Sequence, residues 1–415
     1  MPFAPTILPL REQAELRNRW LHERLATLLP ELMARAELDM WLVIAREYNE
    51  DPVVMTLLPE PEMSARRRTI LVFTRLEDGT VERITLSRYG YGEFYTTAWN
   101  PDQEEQYACL ARIIAERDPQ RIGVNRSSTF AFGDGLSSSE YERLTEAIGA
   151  TYAPRLVGAE QMAIGWLERR IPAELAVYPE LVAIGHQLIA TAFSREVINP
   201  GVTTTADVVW WMRQAMHDAG LRAWFQPTIS IQAPGQSFDA AEPRTLIQPG
   251  DLLHCDVGFV YLGLCTDQQQ HAYVLRTGER EAPEGLCVAL AAGNQLQDIL
   301  LDSMRPGLSG NEVLRTTRER AAAAGLTPSI YTHPLGYHGH AAGPTIGLWD
   351  RQEGVPGAGD YPLFDQTVYS IELNAITPVP EWDDQPVRMA LEEDALLSDG
   401  AMDWLDGRQT DLHLI

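Results

Sequence analysis

The chain has 415 residues, which is enough for two domains with cores of their own, and a formal net charge of −25. That charge disfavours nucleic acid and anionic membranes as partners, and the 45% hydrophobic content indicates a globular chain. We find no apolar run of membrane-spanning length and no signal-peptide pattern, so we expect a cytoplasmic protein. The cysteines lack disulfide or CxxC spacing and are expected as buried free thiols: Cys109, Cys255, Cys265 and Cys287.

The first part of the chain predicts a small α/β domain. Apolar periodicity and turn residues indicate, in chain order, a helix at 14–36, a strand at 40–45, a hairpin of strands 69–74 and 81–86, a helix at 104–116, a strand at 121–124 and a helix at 140–148. A boundary is expected between residues 156 and 167. We therefore divide the chain into domains 1–160 and 161–415.

The second domain contains an internal repeat. A Pro-Gly-x-[Thr/Ser] sequence begins at Pro200 and again at Pro306, and each opens a helical stretch closed by a glycine, Gly220 and Gly325. Ser309 with Glu312, and Thr204 with Asp207, have capping-box spacing. Helical stretches at 172–197 and 283–304 precede the two blocks, and strands follow them. The pattern predicts a duplicated α/β half-domain.

Two aspartates eleven positions apart, Asp256 and Asp267, stand in a segment that predicts a β-hairpin. A turn centred between Tyr261 and Leu262 would place the two carboxylates directly opposite each other. Like charges at opposed positions are destabilising, and a divalent cation would neutralise them. The alternative is a pair of solvated aspartates beside a turn.

Three further ligand-type residues follow in the last third of the chain. His340 lies in a Gly-His-x-x-Gly sequence, Glu372 ends an apolar strand-like run, and Glu392 interrupts another. Burying a lone carboxylate is costly unless its charge is paired or binds metal. Four carboxylates balance the charge of two divalent ions, so the five residues form a coherent dinuclear set.

These residues resemble the pita-bread metallopeptidases, the family of methionine aminopeptidase, aminopeptidase P, prolidase and creatinase. The matching motifs are Asp256-Val-Gly258, Asp267, Gly339-His340-Ala-Ala-Gly343, Glu372 and Glu392-Glu393. The resemblance implies an α/β (α+β) chain in which a creatinase-type amino-terminal domain precedes a duplicated pita-bread domain. It also implies that Asp256 binds the first metal, Asp267 and Glu392 bridge both, and His340 and Glu372 bind the second.

The resemblance implies metal-assisted hydrolysis of short peptides by a hydroxide that bridges two divalent ions, with Glu372 as general base. The expected activity is that of an Xaa-Pro dipeptidase or Xaa-Pro aminopeptidase, and the expected assembly is a homodimer. Manganese is the expected metal, with zinc and cobalt as alternatives. The sequence leaves aminopeptidase, dipeptidase and carboxypeptidase activity open.

Two auxiliary histidines of the family are absent. Gly347 stands seven residues after His340, where the peptidases carry a histidine, and residues 233–238 lack the second one. We expect His333 and His338 to take over the catalytic roles, whereas His254 and His271 are expected to be structural. Two alternatives remain: a metal-free hydrolase of the creatinase type, and a non-catalytic protein that uses the fold for binding.

Overall fold

The computed structural model describes residues 3–239 and 244–415, and the chain divides into two compact units. The amino-terminal unit comprises Leu8–Ile171. The carboxy-terminal unit comprises Pro172–Ile415 together with the segment up to Ile7. The division follows Ile171, whereas the boundary expected from the sequence follows residue 160.

The amino-terminal unit is built on a six-stranded mixed sheet with the strand order β4-β3-β2-β1-β5-β6. Its helices are α1 Leu10–Ala26, α2 Leu28–Arg35, α3 Val54–Leu57, α4 Gln106–Arg117, α5 Ser138–Tyr152 and α6 Glu160–Glu168. Its strands are β1 Met40–Arg46, β2 Arg68–Arg75, β3 Val81–Thr85, β4 Thr96–Thr97, β5 Ile122–Val124 and β6 Leu156–Gly158. Apolar residues of β1, β2 and β5 pack against those of α4 and α5, and together they form one buried core. The predicted hairpin of β2 and β3 is confirmed.

The helices of the carboxy-terminal unit confirm the internal repeat. They are α7 Pro172–Leu175, α8 Tyr178–Ala192, α9 Thr205–Asp218, α10 Glu284–Ser303 and α11 Gly310–Ala323. Thr204 and Ser309 each form the predicted reciprocal capping box, with Asp207 and Glu312. Gly220 and Gly325 close α9 and α11 at φ of 81° and 75°, a backbone region that glycine adopts readily.

The strands of this unit form four small sheets, in the orders β11-β10-β7, β20-β12-β9-β8, β13-β16-β17 and β14-β15-β18-β19. Their bounds are β7 Arg222–Ala223, β8 Thr228–Gln232, β9 Leu252–Val257, β10 Phe259–Tyr261, β11 Leu264–Cys265, β12 Gln268–Tyr273, β13 Pro328–Ile330, β14 His333–Leu335, β15 Thr367–Ser370, β16 Leu373–Val379, β17 Gln385–Leu391, β18 Asp394–Ser398, β19 Ala401–Trp404 and β20 His413–Leu414. Helix α10 packs on β16 and β17 through the apolar clusters of the second half.

The predicted hairpin exists, but its turn lies one residue later than predicted, which shifts the pairing register by two residues. The two-residue turn is Leu262-Gly263, with φ of 55° and 81°, and Tyr261 pairs with Leu264. Asp256 is consequently opposite Gln269, and not opposite Asp267. The earlier turn followed from the assumption that the two aspartates are opposed, whereas the observed turn requires a leucine with positive φ, which is uncommon.

The expectation that no apolar run has membrane-spanning length was also wrong. Residues 172–192 are long and apolar enough to cross a membrane by length and composition alone, although 44% of the window is buried. A buried helix of a protein core passes the same test. Of the four cysteines, which are all free thiols, three are buried as expected and Cys287 is exposed.

Candidate metal centre

Four carboxylates converge where the two halves of the carboxy-terminal unit meet. Asp256 lies in β9, Asp267 just before β12, Glu372 between β15 and β16, and Glu392 directly after β17. Oxygen atoms of Asp256, Asp267 and Glu392 lie within 4.8 Å of one another, and Glu372 joins Glu392 within the same distance in a second group. The structure therefore brings together every carboxylate that the sequence identified.

The backbone reason for this convergence is a bridge between the two halves. Gln269 of β12 and Glu392 exchange both backbone hydrogen bonds, with N–O distances of 2.9 Å and 3.2 Å. Asp267 lies two residues before Gln269, so the bridge carries it towards the end of β17. Residues that are 125 positions apart in sequence thereby come into contact.

His333 is the imidazole closest to these carboxylates. Its Nε2 atom lies 3.6 Å from Glu392 Oε1, 3.9 Å from Asp267 Oδ2 and 3.9 Å from Glu372 Oε2. The side chain is buried, and β14 pairs with β15 so that His333 is opposite Ser370. An atom at these separations can share one cation with all three carboxylates, because zinc–nitrogen and zinc–oxygen bonds are about 2.0–2.2 Å long.

His340 lies farther out. Its Nε2 atom is 4.0 Å from Asp267 Oδ2, its side chain is 46% exposed, and its ring packs edge-on against His333 with 4.4 Å between centroids. His338 belongs to none of the close ligand groups found within residues 3–239 and 244–415. His271 is enclosed by the carbonyl oxygens of Leu253 and Ala390, as expected of a structural residue.

Burial and mutual repulsion disfavour the charged forms of the carboxylates. Burial, followed by repulsion from Glu392, raises the pKa of Asp256, of Asp267 and of Glu372 well above the ordinary value. Burial also raises the pKa of Glu392 to about 7, against hydrogen bonds from Ser370 and Gln269 that lower it. Without a cation, the cluster therefore holds protons near neutral pH.

The pKa values of the two imidazoles, His333 and His340, are lowered instead of raised. Burial lowers the pKa of His333 to about 4, and burial together with the neighbouring His333 lowers the pKa of His340 to about 3. Both rings are therefore neutral at pH 7. A neutral imidazole is the form that binds a metal ion.

Buried polar atoms without a hydrogen-bond partner test whether a cation fits. Asp256 Oδ1, Asp267 Oδ1 and His333 Nε2 are buried and find no partner among the described residues. Such atoms are costly unless something else binds them. A divalent ion would supply the missing partner to all three, so the side chains fit a metal centre.

Gln269 is a residue of this site that sequence reasoning missed. Its Nε2 atom donates to Glu392 Oε2 at 2.6 Å and to Glu372 Oε1 at 3.0 Å, and its Oε1 atom lies 2.9 Å from His254 Nε2. The amide therefore orients two candidate ligands at once. The only signal in the sequence was its position two residues after Asp267, on the same strand face.

Trp224 contacts the residue before Asp267 and the ring of His340. Its Nε1 atom donates to the carbonyl of Thr266 at 2.9 Å, and its ring lies edge-on to His340 with 4.9 Å between centroids. A Cβ atom added at Gly258 would lie 2.3 Å from Trp224 Nε1, and one added at Gly339 would lie 2.3 Å from the same ring. The glycines of both motifs therefore make room for this indole.

A cavity of about 300 Å³ opens beside the carboxylates. Asp256, Glu372 and Gln269 line it together with Tyr331 and Arg388. Arg388 is half-buried, and its guanidinium lies 5.2 Å from the ring centroid of Phe238. Burial raises the pKa of Tyr331 to about 12, so its hydroxyl remains a donor at neutral pH.

The chain is similar in sequence to a curated protein named as a peptidase. A protein of Mycoplasma pneumoniae, provisionally named an Xaa-Pro aminopeptidase, is 22% identical over 216 residues, which are 52% of this chain and 55% of that protein. The chain thus spans about half the length of this curated relative.

Solved structures with the same fold cover nearly the whole chain. The X-Pro aminopeptidase of Thermotoga maritima aligns with a TM-score of 0.65 and 14% identity over 92% of this chain and 100% of that chain. The Xaa-Pro dipeptidase of Bacillus anthracis aligns with a TM-score of 0.62 and 16% identity over 95% of this chain and 100% of that chain. The predicted fold class, α/β with a duplicated pita-bread domain, is confirmed.

The model of metallopeptidase family M24 matches residues 180–399, more than half of the chain and all five residues of the predicted ligand set. The resemblance stated from the motifs is thereby confirmed, and a metallopeptidase family implies the use of divalent metal and of peptide substrates. The chain belongs to metallopeptidase family M24.

Proposed function

We propose that this protein hydrolyses short peptides at a centre of two divalent metal ions and that Xaa-Pro dipeptides are its preferred substrates. The observation that carries the proposal is the convergence of four buried carboxylates and two neutral imidazoles beside a cavity of about 300 Å³. Few other functions account for so many buried acidic groups in one place.

The grouping of the ligand atoms supports two metal positions. Asp256, Asp267 and Glu392 would hold one ion, and Asp267, Glu372 and Glu392 with an imidazole would hold the other. The motif of the family favours His340 as that imidazole. The distances support His333 more directly, because its Nε2 atom faces all three carboxylates whereas that of His340 approaches Asp267 alone.

Bound divalent ions would lower the pKa of the attacking water and polarise the carbonyl of the scissile bond. The residues of the chain supply the other steps. Glu372 lines the cavity and, with one oxygen held by Gln269, accepts the proton of the water and passes it to the leaving nitrogen. Tyr331 lines the same cavity and would donate a hydrogen bond to the oxyanion, in place of the absent family histidines.

The cavity wall supports a preference for dipeptides. Arg388 supplies a positive charge on the wall that also contains Glu372, and guanidinium groups bind carboxylates in a two-pronged geometry. The free carboxylate of a dipeptide would lie there, whereas a longer peptide would present a neutral amide at the same place. The proposal therefore favours dipeptidase over aminopeptidase activity.

The remaining properties are proposed from the resemblance. Manganese suits the oxygen-rich ligand set, and zinc and cobalt are the alternatives. We also propose a homodimer in the cytoplasm that has neither nucleic-acid nor membrane partners, in line with the net charge of −25.

A peptide panel tests the activity. Xaa-Pro dipeptides, Xaa-Pro tripeptides and Pro-Xaa dipeptides would be incubated with the manganese-loaded protein and with Glu372→Gln. We expect fastest cleavage of Xaa-Pro dipeptides and a loss of at least about a hundredfold in the variant, because it lacks its general base. Cleavage of no member of the panel, or cleavage unaffected by Glu372→Gln, would refute the proposal.

A metal titration separates the two imidazoles. His333→Ala and His340→Ala would be titrated with manganese under equilibrium conditions, beside the wild-type protein. We expect His333→Ala to weaken the second binding step more strongly than His340→Ala does. The reverse order would restore His340 as the ligand.

A further inference from the structure

A second cavity, also of about 300 Å³, lies within the amino-terminal unit and is lined by five arginines, namely Arg46, Arg66, Arg67, Arg68 and Arg88. We call it the arginine pocket. None of the described residues that line it is acidic. All 33 cationic side chains of the sequence are arginine, yet the chain has a formal net charge of −25. A concentration of positive charge in so acidic a protein requires a reason beyond composition.

One buried carboxylate neutralises part of this charge. Glu140 is only 2% exposed, and Arg68 Nε lies 2.8 Å and Arg46 Nε 3.6 Å from its two oxygens. Gln106, which is also buried, accepts from Arg68 Nη1 at 3.3 Å. Arg68 is therefore held in one orientation at the base of the pocket, as binding of a specific ligand requires.

The other three arginines remain uncompensated. Among the described residues, no carboxylate lies within 4.0 Å of the guanidinium nitrogens of Arg66, Arg67 or Arg88. The guanidinium group of Arg66 lies 4.9 Å from the ring centroid of Tyr89. Acidic side chains beside the loop of residues 65–67 contact the backbone of that loop instead of its arginine side chains. Glu47 accepts from the Arg67 amide and Glu50 from the Ala65 amide.

The backbone of this loop is strained. Arg66 and Arg67 are consecutive residues with φ of 39° and 65°, a region in which side chains other than glycine are uncommon. Such conformations carry a cost and occur preferentially at binding sites, where the surroundings hold them. Here they place two arginine side chains at the edge of the same cavity.

An adjoining groove shares Arg68 and Arg88 and has acidic residues on its border. Of the three, Asp102, Glu104 and Glu105, none pairs with Arg68 or Arg88 within 4.0 Å in the described part of the chain, and two are engaged elsewhere. Glu104 binds Arg112 at 2.7 Å, and Glu105 caps α4 by accepting from the amides of Tyr107 and Ala108. The guanidinium groups of the arginine pocket thus keep their capacity for an external anion.

We propose that the arginine pocket binds a small organic molecule with two phosphate groups. Guanidinium groups match phosphate oxygens in a two-pronged geometry, and a phosphate monoester carries about −1.5 to −2 charges at pH 7, so two such groups balance the excess charge of the pocket. A volume of about 300 Å³ suits a small metabolite. The inference concerns a different unit of the chain and is independent of the peptidase proposal.

Calorimetric titration with fructose 1,6-bisphosphate as the probe tests this site. The manganese-loaded full chain would be compared with Arg67→Gln and Arg88→Gln, and each variant would be checked for its circular dichroism spectrum. We expect saturable binding by the wild-type protein that is weakened about tenfold or more in each variant, since each loses a charge-assisted pair. Arg75→Gln is the matched control, because Arg75 belongs to β2 but pairs with Asp39 at 3.6 Å outside the pocket.

Three results would overturn the proposal. They are the absence of binding at millimolar probe, equal binding by the wild-type protein and Arg67→Gln, and citrate binding as tight as that of the bisphosphate. A shift of the oligomeric state in Arg88→Gln without any anion binding would instead assign the pocket to an acidic protein surface. Protection of Arg66, Arg67 and Arg88 from a dicarbonyl reagent by the bisphosphate would localise the site independently of affinity.

Discussion

Gln269 shows how one uncharged side chain can organise a charged centre. Its amide nitrogen donates to Glu372 and Glu392, and its amide oxygen accepts from His254 Nε2. These bonds fix the orientation of two carboxylates that would otherwise repel each other. Residues that orient metal ligands contribute to affinity without touching the ion. Gln269 is not identified when the sequence is read for metal-ligand residue types, because glutamine is not a preferred ligand of divalent transition metals.

We expect Gln269→Met to lower the manganese affinity roughly tenfold to hundredfold while the fold is retained, because the two carboxylates lose their shared donor. Competition with a fluorescent chelator measures the change. Gln214→Met is the control, since Gln214 is an exposed residue of α9 whose amide contacts Asp218. Unchanged affinity in Gln269→Met would show that the amide does not orient the ligands.

The raised pKa values of the carboxylates predict that metal binding releases protons. Glu392 has a pKa of about 7 in the metal-free protein, and those of Asp256, Asp267 and Glu372 are raised by burial and by repulsion from Glu392. A metal ion binds the deprotonated forms, so affinity falls as the pH falls from 8 to about 5. Calorimetry in buffers of different ionisation enthalpy counts the released protons. Release of none at pH 6 would contradict the assignment.

At the level of elements, the helix caps were the most predictable feature. Ser309 and Thr204 were identified from spacing alone, since a capping box depends only on residues three positions apart. The hairpin was less predictable, because its register depends on Leu262 adopting a positive φ. His333 was expected to have a catalytic role, but not to be the imidazole closest to the carboxylates, since that position follows from the pairing of β14 with β15, 37 residues away.

We expect Ser309→Ala to destabilise the carboxy-terminal unit by about 1 kcal/mol, because the Glu312 amide loses its acceptor at the start of α11. Urea unfolding followed by circular dichroism measures the change. Ser309→Asp keeps an acceptor at the same position and is expected to stay close to the wild type. An equally large loss of stability in Ser309→Asp would show that the hydroxyl does not stabilise the unit by accepting from the Glu312 amide.

His186 joins α8 to the strand segment behind the metal centre. Its Nε2 atom lies 2.7 Å from Glu393 and its Nδ1 atom 2.8 Å from Asp406. Burial alone would lower the pKa of His186, but these two carboxylates outweigh burial and raise it to about 9. The folded value lies above the ordinary value of 6.5, so protonated His186 stabilises the fold fully below pH 6.5.

This stabilisation is lost as the pH rises through about 9. Urea unfolding of the metal-free protein at several pH values is expected to show that His186→Gln removes stability at pH 6 and makes much less difference at pH 10. His217→Gln, at an exposed position of α9, is the control. A pH-independent effect of His186→Gln would mean that the residue contributes through packing and not through its charge.

At the level of the whole molecule, the two units differ in what the sequence revealed. The carboxy-terminal unit was assigned because its buried acidic residues follow a motif and its helices repeat. The arginine pocket of the amino-terminal unit was not foreseen. Arg66, Arg67 and Arg68 are consecutive in the sequence, but Arg46 of β1 and Arg88 after β3 join them only through the fold. A run of three arginines alone does not predict a pocket.

All candidate metal ligands lie between Asp256 and Glu392, so metal loading is expected to stabilise one unit only. A ligand present at a hundred times its dissociation constant adds about 2.7 kcal/mol to the stability of the unit that binds it. Scanning calorimetry with and without manganese measures the shift. Leu42→Ala and Leu300→Ala, at fully buried positions in the two units, assign the transitions. An equal shift of both transitions would place metal sites outside the carboxy-terminal unit.

The number of manganese ions bound at equilibrium tests the central claim most directly. If Asp256, Asp267, Glu372 and Glu392 share two cations with an imidazole, the wild-type chain binds two ions at saturation, and Asp267→Asn loses tight binding of both because that residue faces both positions. Binding of fewer than two ions by the wild-type protein, or of two equally tight ions by Asp267→Asn, would contradict the dinuclear centre.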